Sequence, residues 1–368
     1  MIQELIQRKK ILICCGSGGV GKTTLSSSLA LYAALQGKKV LVLTIDPAKR
    51  LTEALGIKNV GHQRKRVEIG GHGELYVQML DTKQAFDDLI TSLSPSQDVV
   101  EKIIKNPIYQ NVSHGLSGVH EYMATSKLYE CYQEKKFDVI ILDTPPMKKA
   151  FDFLEAPQKI ADFFDAKIFH WFLKPYFHVG KAGFKFLVSS SAFVLKIIER
   201  FSGMEVLESM HGFFLNFEGM YESFHQRALS IHKLLKSPQC GFLLISSSGQ
   251  SRFSEIKVFC NVMKKKSLSF EGIIFNQVLP LYKRKDISLP KIVAEKNLSF
   301  FKEEKYIRVF SKIIDYLDDF EALALRERTN TQLLLEELDI EPSSLYIPRF
   351  SEEIHNIQGL KAFHPYFE

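Results

Sequence analysis

The sequence predicts an α/β fold: a doubly wound, mostly parallel sheet that carries a helical insertion subdomain. Apolar runs of strand length alternate along the chain with helical patterns, and this alternation is typical of parallel βαβ units. A glycine-rich loop joins the first apolar run to the first long helical pattern. Two helix-rich stretches interrupt the alternation, which indicates insertions into one α/β domain.

Composition limits the class of protein. The chain has 368 residues, of which 45% are apolar and 24% charged, so it can bury a sizeable core and remain soluble. Its net charge of +6 is mild for this length, which fits an anionic ligand and gives no argument for nucleic acid as a partner. The first ten residues lack the apolar segment of a signal peptide. We therefore expect a cytoplasmic protein, with peripheral contact at the inner membrane left open.

The glycine-rich loop is the most specific motif. It follows the apolar run Ile11–Cys15 and reads Gly-Ser-Gly-Gly-Val-Gly-Lys-Thr-Thr, a P-loop between a strand and a helix. Its glycines let backbone amides turn toward phosphates at the positive end of the helix. Lys22 would reach the β- and γ-phosphates of ATP or GTP, and the Thr23 hydroxyl would bind Mg²⁺. The predicted nucleotide-binding residues of the loop are Gly16, Ser17, Gly18, Gly19, Val20, Gly21, Lys22, Thr23 and Thr24.

Two further apolar runs end in aspartate. Lys39–Asp46 and Phe137–Asp143 both read as buried parallel strands. Asp143 is followed by Thr-Pro-Pro, and an acidic residue at the tip of an apolar strand is what a Walker B motif needs to hold Mg²⁺.

The rest of the chain continues the alternation. We predict strands at 74–80, 241–248, 272–276 and 344–348, and helices at 25–35, at 82–135 with breaks near 94–95 and 106–107, at 254–266 and at 296–337. Asn276 ends one of these strands, where its amide could read the edge of adenine. One domain is predicted over 1–368, with its core at 1–92, 136–158 and 238–368 and helical insertions at about 93–135 and 159–237.

The second insertion is rich in aromatic residues, mostly at helical spacing between residues 160 and 235. One interpretation is a set of amphipathic helices that pack their own aromatic side chains. The other is an apolar groove that receives another protein's helix or touches lipid. The longest uncharged run, Phe186–Leu195, is half the length of about 20 residues that a membrane-spanning helix needs, so we predict no transmembrane segment.

These motifs together resemble the ArsA/Get3 group of P-loop ATPases, a SIMIBI-class family of arsenite-pump ATPase subunits and tail-anchored-protein targeting factors. The chain is most similar to the bacterial members known as anion-transporting ATPases, and the resemblance extends over nearly its whole length. Besides the P-loop and Asp143–Pro146, the stretches that carry it are Asp46–Ala48, Met79–Lys83, Asn106–Tyr109, Glu121–Ala124, Phe151–Pro157, Asn276 and Ile347–His355.

The resemblance implies roles for individual residues. Lys22, Asp46 and Asp143 are the implied catalytic residues, with Asp46 in switch I orienting the water that attacks the γ-phosphate. Thr23, Asp46 and Asp143 are the implied Mg²⁺ ligands. Contacts with the nucleotide are implied for Asn276, which favours ATP over GTP, and for Pro348. The convergence of adjacent strand tips at the ligand crevice of an open sheet agrees with these placements. Such ATPases act as dimers that close around nucleotide.

Three departures from the family pattern matter. Ser17 stands where the family carries a signature lysine that reaches the partner's phosphates, an element comparable to an arginine finger. Three explanations are compatible with this serine: slow hydrolysis, a substitute cation, or a dimer with a lysine-bearing paralogue. The dimer can therefore be a homodimer or a heterodimer. The candidate substitutes are Lys49, Arg50, Lys148 and Lys149. The five cysteines include no Cys-x-x-Cys pair, so no zinc is expected, and no cysteine trio for arsenite is evident.

The motifs predict a Mg²⁺-dependent ATPase that cleaves a phosphoanhydride bond. Our first interpretation is a dimeric switch whose helical subdomain binds a hydrophobic client or a membrane partner. An energising subunit of an arsenite or anion pump is the alternative. A partition or positioning ATPase is a further alternative, although that class normally lacks a large helical insertion.

Overall fold

The computed structural model describes most of the chain. The described residues are 1–45, 49–57, 62–115, 118–165, 204–281, 304–338 and 343–367. The strands among them form one sheet of eight: β1 (Ile11–Gly16), β2 (Lys39–Thr44), β3 (Lys65–Val67), β4 (Glu74–Met79), β5 (Val139–Asp143), β6 (Cys240–Ser246), β7 (Phe270–Val278) and β8 (Ser343–Pro348).

The sheet is mostly parallel, with strand order β3-β4-β2-β5-β1-β6-β7-β8. β5 lies between β1 and β2 and is parallel to both, β2 is parallel to β4, and β7 is parallel to β8. The short β3 pairs antiparallel with β4. Parallel strands cannot be joined by tight hairpins, so crossover segments carry the chain back over the faces of the sheet. The predicted class, a doubly wound and mostly parallel sheet, is confirmed.

Helices make up most of the remaining described structure. Their bounds are Ile2–Arg8, Lys22–Leu35, Lys49–Leu55, Thr82–Leu93, Gln97–Lys105, Pro107–Gly115, Val119–Gln133, Met147–Asp165, Met204–Phe217, Tyr221–Leu235, Phe253–Lys266, Glu304–Glu337 and Ile357–Lys361. The predicted breaks in the first helical stretch are confirmed, because Ser96 and Asn106 each accept a hydrogen bond from a backbone amide that follows them.

Burial follows the sequence pattern. Every residue of β1, β5 and β6 is buried, as expected for central strands that are covered on both faces. The edge strand β3 is three residues long and is mainly charged. The surrounding sequence is rich in glycine and charge and reads as a loop, because such a short polar strand has no apolar periodicity to reveal it.

The chain divides into two compact units. The first comprises Met1–Phe242, Ser267–Ser269 and Ile354–Glu368, and it contains the P-loop sequence and the helices between β4 and β5. The second comprises Leu243–Lys266 and Phe270–Glu353 and contains β7, β8 and the long helix. The predicted boundaries between core and insertions stay a prediction.

In the first unit, the C-terminal segment packs on the helix Lys22–Leu35. The buried Ser28 hydroxyl donates a hydrogen bond to the Leu360 carbonyl oxygen at 2.7 Å. The Tyr32 ring meets His364 and Phe367 edge to face, with centroids 5.2 and 5.5 Å away. The segment is short and contains Pro365, and its aromatic residues anchor it to the helix that follows the P-loop.

In the second unit, the long helix Glu304–Glu337 is anchored through its C-terminal half. The Thr331 hydroxyl lies 3.1 Å from the hydroxyl of Tyr346 on β8, and Tyr346 stacks on Phe275 of β7. The Ser248 hydroxyl donates to Glu327 at 2.9 Å. The predicted helix began at residue 296, and residues 296–303 lie outside the described residues.

Candidate nucleotide-binding site

The P-loop turns sharply between β1 and the helix Lys22–Leu35. Gly19 and Gly21 have φ angles of 81° and 86°, a left-handed conformation that glycine adopts without a steric penalty. The helix begins at Lys22 after Gly21, which has no side chain to cap the first amide groups. Amides in this setting form the anion-binding end of a helix. The loop therefore has the sharp turn that a P-loop needs, and phosphate contacts by Gly16 to Thr24 stay predictions.

Lys22 is almost fully buried and lies against the loop. Its ammonium donates a hydrogen bond to the Ser17 carbonyl oxygen at 2.8 Å. That acceptor is a neutral backbone group, and the side chain of Ser17 brings no charge to the loop. The structure therefore holds Lys22 over the loop, in the position from which a P-loop lysine reaches phosphate oxygens.

Asp143 ends β5 and is the centre of a cluster of hydroxyl groups. Only 1% of its surface is exposed. Its Oδ2 accepts hydrogen bonds from the Thr23 hydroxyl at 2.7 Å and from the Thr44 hydroxyl at 3.2 Å, and its Oδ1 accepts one from the Ser26 hydroxyl at 3.5 Å. These three donors carry no charge, so they stabilise the carboxylate without neutralising it. A negative carboxylate beside a threonine hydroxyl is the oxygen donor set that Mg²⁺ prefers.

The register of the sheet brings these residues together. Asp143 is the partner of Cys14 on one side and of Thr44 on the other. The tip of β5 is therefore fixed between the start of the P-loop and the tip of β2. Next along the chain, the Thr144 hydroxyl donates to the Cys14 carbonyl oxygen at 2.7 Å, which attaches the segment after Asp143 to β1.

The cysteines beside the site are structural. All five cysteines of the chain are buried and free. Burial raises the pKa of Cys14 and that of Cys15 to about 12, so both stay protonated near neutral pH. Arsenite binds thiolates, and these protonated, buried thiols do not offer such a site. Among the residues that the structure describes, no group of three or more His, Cys, Asp or Glu side chains is arranged to hold a metal ion.

Some predicted site residues cannot be compared with the structure. Asp46 lies outside the described residues, so its roles as metal ligand and water-orienting residue stay predictions. The side chains of the four candidate substitute cations are likewise outside what the structure describes, although their backbones belong to helices. They are Lys49, Arg50, Lys148 and Lys149.

Asn276 and Pro348 both lie in the second unit, near the ends of neighbouring strands. Asn276 is buried in β7, and Pro348 ends β8 opposite Val278. The register shifts between Phe275 and Val278, and Gln277 has a φ of 60° in this bulge. Bulges redirect side chains at sheet edges and are common near binding sites. The adenine-reading role of Asn276 and the nucleotide contact of Pro348 stay predictions.

Two residues of the hydroxyl cluster, Thr44 and Ser26, were not predicted. Thr44 ends β2, and the rule that polar residues at strand tips face the crevice would have identified it. Ser26 is one helical turn beyond Lys22, which places it on the same face of the helix. Its sequence neighbours Ser27 and Ser28 are equally polar, so the sequence had no signal to separate it from them.

The aromatic residues that the structure describes pack against one another. Phe213, Phe214, Phe217 and Phe224 are all buried. The rings of Phe217 and Phe224 are 4.6 Å apart, and those of Phe213 and Phe217 are 5.3 Å apart. For these residues the core interpretation is confirmed. The other aromatic residues up to Phe201 lie outside the described residues or have side chains that the structure does not describe. Every helix in the described ranges is too short or too polar to cross a bilayer.

Comparison with known proteins places this geometry in context. The family model of the anion-transporting ATPases, the ArsA ATPase family, matches residues 9–307. A protein called ATPase get3 from Aspergillus terreus is 31% identical over 159 residues, which are 42% of this chain and 46% of that protein. ATPase GET3 from Malassezia globosa is 28% identical over 158 residues, 42% of this chain and 45% of its own length.

A more extended similarity joins the chain to a protein called ATPase ASNA1 homolog from Plasmodium berghei. The two are 23% identical over 361 residues, which are 95% of this chain and 84% of the Plasmodium protein. With the fungal relatives, by contrast, the match spans less than half of their length. The resemblance that the sequence motifs predicted is confirmed by the family match.

Proposed function

Because the chain belongs to the anion-transporting ATPase family, we propose that it binds ATP with Mg²⁺ and hydrolyses the bond between the β- and γ-phosphates. The observation that carries the proposal is the 2.7 Å hydrogen bond between the Thr23 hydroxyl and the Asp143 carboxylate at the end of the P-loop. This pair joins the two motifs that hold a nucleotide-bound metal. The residues that surround it fit a hard, oxygen-seeking cation.

Each residue of the site has one task in this proposal. Lys22 binds the phosphate oxygens and stabilises the negative charge that grows on them during transfer. Thr23 and Asp143 would hold Mg²⁺, which supplies charge neutralisation between the β- and γ-phosphates when it is bound. Asp46 orients the attacking water. Asn276 would contact adenine, and Pro348 would contact the nucleotide.

Ser17 leaves the site incomplete within one chain. A cation that reaches across a dimer typically contributes 10³–10⁵ to the rate of phosphoryl transfer. The serine cannot provide this cation, so a second chain or one of the four candidate substitute cations has to provide it. We propose that the working unit is a dimer, formed either by two copies or with a lysine-bearing paralogue.

We further propose that phosphate state controls the binding of a hydrophobic client or a membrane partner. The support is the family membership together with relatives named ATPase GET3, and the large helical content between β4 and β6. The protein would work in the cytoplasm and meet the inner membrane through its partner. An energising role in an anion pump is favoured only by the description of the family, and the burial of all five cysteines gives no support for arsenite.

ATP turnover by the full chain tests the enzymatic part. Lys22→Ala should lower turnover by roughly 10²–10³ because it removes a charge that acts in the transition state. The matched control is Lys102→Ala. It removes an exposed lysine that pairs with Asp98 within the helix Gln97–Lys105, which is not the P-loop helix, and it should leave turnover unchanged. Turnover of Lys22→Ala within a factor of two of the wild type would contradict the site assignment.

Crosslinking in the ATP-bound state, followed by identification of the captured chain, tests the partner. A membrane-protein segment would support the client proposal, and a paralogous ATPase would support the heterodimer. Capture of a transporter would instead favour the pump. Lys22→Ala serves as the control, because captures that depend on nucleotide should be lost in it.

A further inference from the structure

The P-loop helix, Lys22–Leu35, is covered around its whole circumference. Every residue from Leu25 to Ala34 is buried, including three serines in a row. A helix that is buried on all sides needs a neighbour on each of them. The strands β2 and β5 of the sheet cover one side. Other elements of the first unit have to cover the opposite side.

Two serines of the P-loop helix mark these two sides. The Ser26 hydroxyl donates to Asp143 at 3.5 Å, and the Ser28 hydroxyl donates to the Leu360 carbonyl oxygen at 2.7 Å. Positions two residues apart are about 200° apart around a helix axis. The helix is therefore held between β5 on one side and residues 356–367, which we call the C-terminal segment, on the other.

The C-terminal segment depends on this contact for its own structure. It contains the helix Ile357–Lys361, whose first turn is capped by the Asn356 side chain. A helix of this length is too short to be stable by itself in water. The segment is held instead by its apolar side chains, because Leu360, Phe363 and Phe367 are each at most 3% exposed.

A second contact lies one turn further along the P-loop helix. Tyr32 is four residues after Ser28 and so lies on the same face. Its ring meets His364 and Phe367 of the C-terminal segment edge to face, with centroids 5.2 and 5.5 Å away. The C-terminal segment thus contacts the P-loop helix at two successive turns, through one buried hydrogen bond and one aromatic cluster.

These contacts lie close to the candidate Mg²⁺ ligands. Thr23 is five residues before Ser28 on the same helix, a distance of about 7.5 Å along the axis. A regular helix moves as one body, so a shift at Ser28 and Tyr32 is passed on to the Thr23 hydroxyl and to its hydrogen bond with Asp143. A displacement of about 1 Å at a reacting site is enough to change a rate about 10²-fold.

We propose that Ser28 and Tyr32 are positioning residues for the nucleotide site. Through them, the C-terminal segment holds the P-loop helix where the Thr23 hydroxyl meets the Asp143 carboxylate. Both residues act through the helix and not on the nucleotide. The inference rests on the proposed ATPase function and adds to it a part of the chain that is more than 300 residues away in sequence. Loosening this contact weakens the Mg²⁺ site without removing any of its ligands.

Hydrogen exchange of the nucleotide-free full chain tests the structural part. Ser28→Ala and Tyr32→Ala should each speed up exchange of the amides in the first turns of the P-loop helix by about threefold or more. Ser27→Ala is the matched control. It removes a hydroxyl from the neighbouring buried serine, whose hydrogen bond goes to the Thr23 carbonyl oxygen within the same helix, and exchange should stay as in the wild type.

The Mg²⁺ requirement of ATP turnover tests the functional part. The Mg²⁺ concentration for half-maximal turnover should rise about three- to tenfold in Ser28→Ala and at least as much in Tyr32→Ala. Tyr32→Phe keeps the ring and should stay close to the wild type. A variant that is only less stable has fewer folded molecules, which lowers the maximal rate but leaves the Mg²⁺ requirement unchanged. Circular dichroism of each variant checks that it folds.

The outcomes separate this inference from the proposed function. If the wild type hydrolyses ATP and the Mg²⁺ requirement of both Ser28→Ala and Tyr32→Ala is unchanged, the inference is overturned and the ATPase assignment stands. Unchanged hydrogen exchange in both variants, or an equal effect of Ser27→Ala, would also overturn the inference. A wild type without ATP turnover would overturn the proposed function together with it.

Discussion

The P-loop region and the N-terminal half of the helix Glu304–Glu337 depart from ordinary packing in opposite directions. Around the P-loop, charged groups are buried: Lys22 and Asp143 both lie inside the first unit. Along the helix, apolar groups are exposed, with Tyr316 as the extreme case. Burying a charge and exposing an apolar side chain both reduce stability in an isolated chain. The buried charges are the ones that the proposed binding of a charged ligand would explain.

The carboxylates of the half-buried Glu134 and the buried Asp143 also differ in their partners. Arg64 and Glu134 form a two-pronged ion pair within the chain, with Nη1 of Arg64 2.6 Å from Oε2 of Glu134. Asp143, by contrast, is bonded to three neutral hydroxyls. An ion pair of this kind serves stability, whereas a carboxylate among hydroxyl groups offers the oxygen donors that Mg²⁺ prefers.

The largest expected effect concerns Asp46, whose role is implied by the resemblance to the family and stays a prediction. Asp46→Asn should keep ATP binding but lose hydrolysis by roughly 10²–10⁴, because an amide cannot accept the proton of the attacking water. Single-turnover measurements with bound ATP check this. If turnover survives, the P-loop region binds nucleotide without Asp46 as its water-orienting residue.

A smaller effect is expected at the hydroxyl cluster. Asp143→Asn keeps the shape of the side chain, and its amide oxygen can still accept from Thr23, but the negative charge is lost. We expect Mg²⁺-dependent ATP affinity to fall by about 10–100-fold, with little change in nucleotide binding without Mg²⁺. An equal loss with and without Mg²⁺ would show that Asp143 does not act through the metal.

The helix Met204–Phe217 offers a direct comparison of a buried and an exposed apolar residue. Phe217 is 4% exposed and Leu215 is 47% exposed. Phe217→Ala should destabilise the fold by about 3–5 kcal/mol, because it leaves a cavity among aromatic rings. Leu215→Ala should change stability by no more than about 0.5 kcal/mol. Denaturant unfolding measures both, and similar values would contradict the core assignment of these aromatic residues.

The internal ion pair predicts a pH dependence. The hydrogen bond from Arg64 lowers the pKa of Glu134 from 4.5 to about 2 in the folded chain. Folding therefore favours the ionised carboxylate, and its contribution of up to about 3 kcal/mol is complete above pH 4.5 and is lost as the pH falls toward 2.

Unfolding measured at several pH values in wild type and Glu134→Gln tests this. The stability difference between the two should shrink as the pH is lowered below 4.5. A difference that stays constant in that range would show that Arg64 does not hold the charge of Glu134.

The fold and the centre of the site could be predicted because their signals are local. The P-loop has a fixed sequence, and the strands around it are continuous apolar runs whose burial on both faces leaves a clear pattern. Asp143 was identified by its place at the tip of such a run. These features depend on residues that are neighbours in the sequence, so a single sequence is enough to recognise them.

What the sequence did not reveal depends on long-range contacts. Thr44 and Ser26 reach Asp143 across 99 and 117 residues, and only the strand register and the helix direction determine that they meet. The antiparallel β3 is too short and too charged to show a period. The C-terminal segment gave no signal of its docking on Tyr32, since that contact depends on tertiary structure alone.

The central claim, that this P-loop binds ATP through Lys22, is tested most directly by calorimetric titration of the full chain with ATP in the presence of Mg²⁺. The wild type should bind one ATP per chain, and binding should weaken strongly when Mg²⁺ is removed. In Lys22→Ala the binding heat should be lost or greatly reduced while Lys102→Ala behaves as the wild type. No binding by the wild type, or equal binding by wild type and Lys22→Ala, would contradict the account.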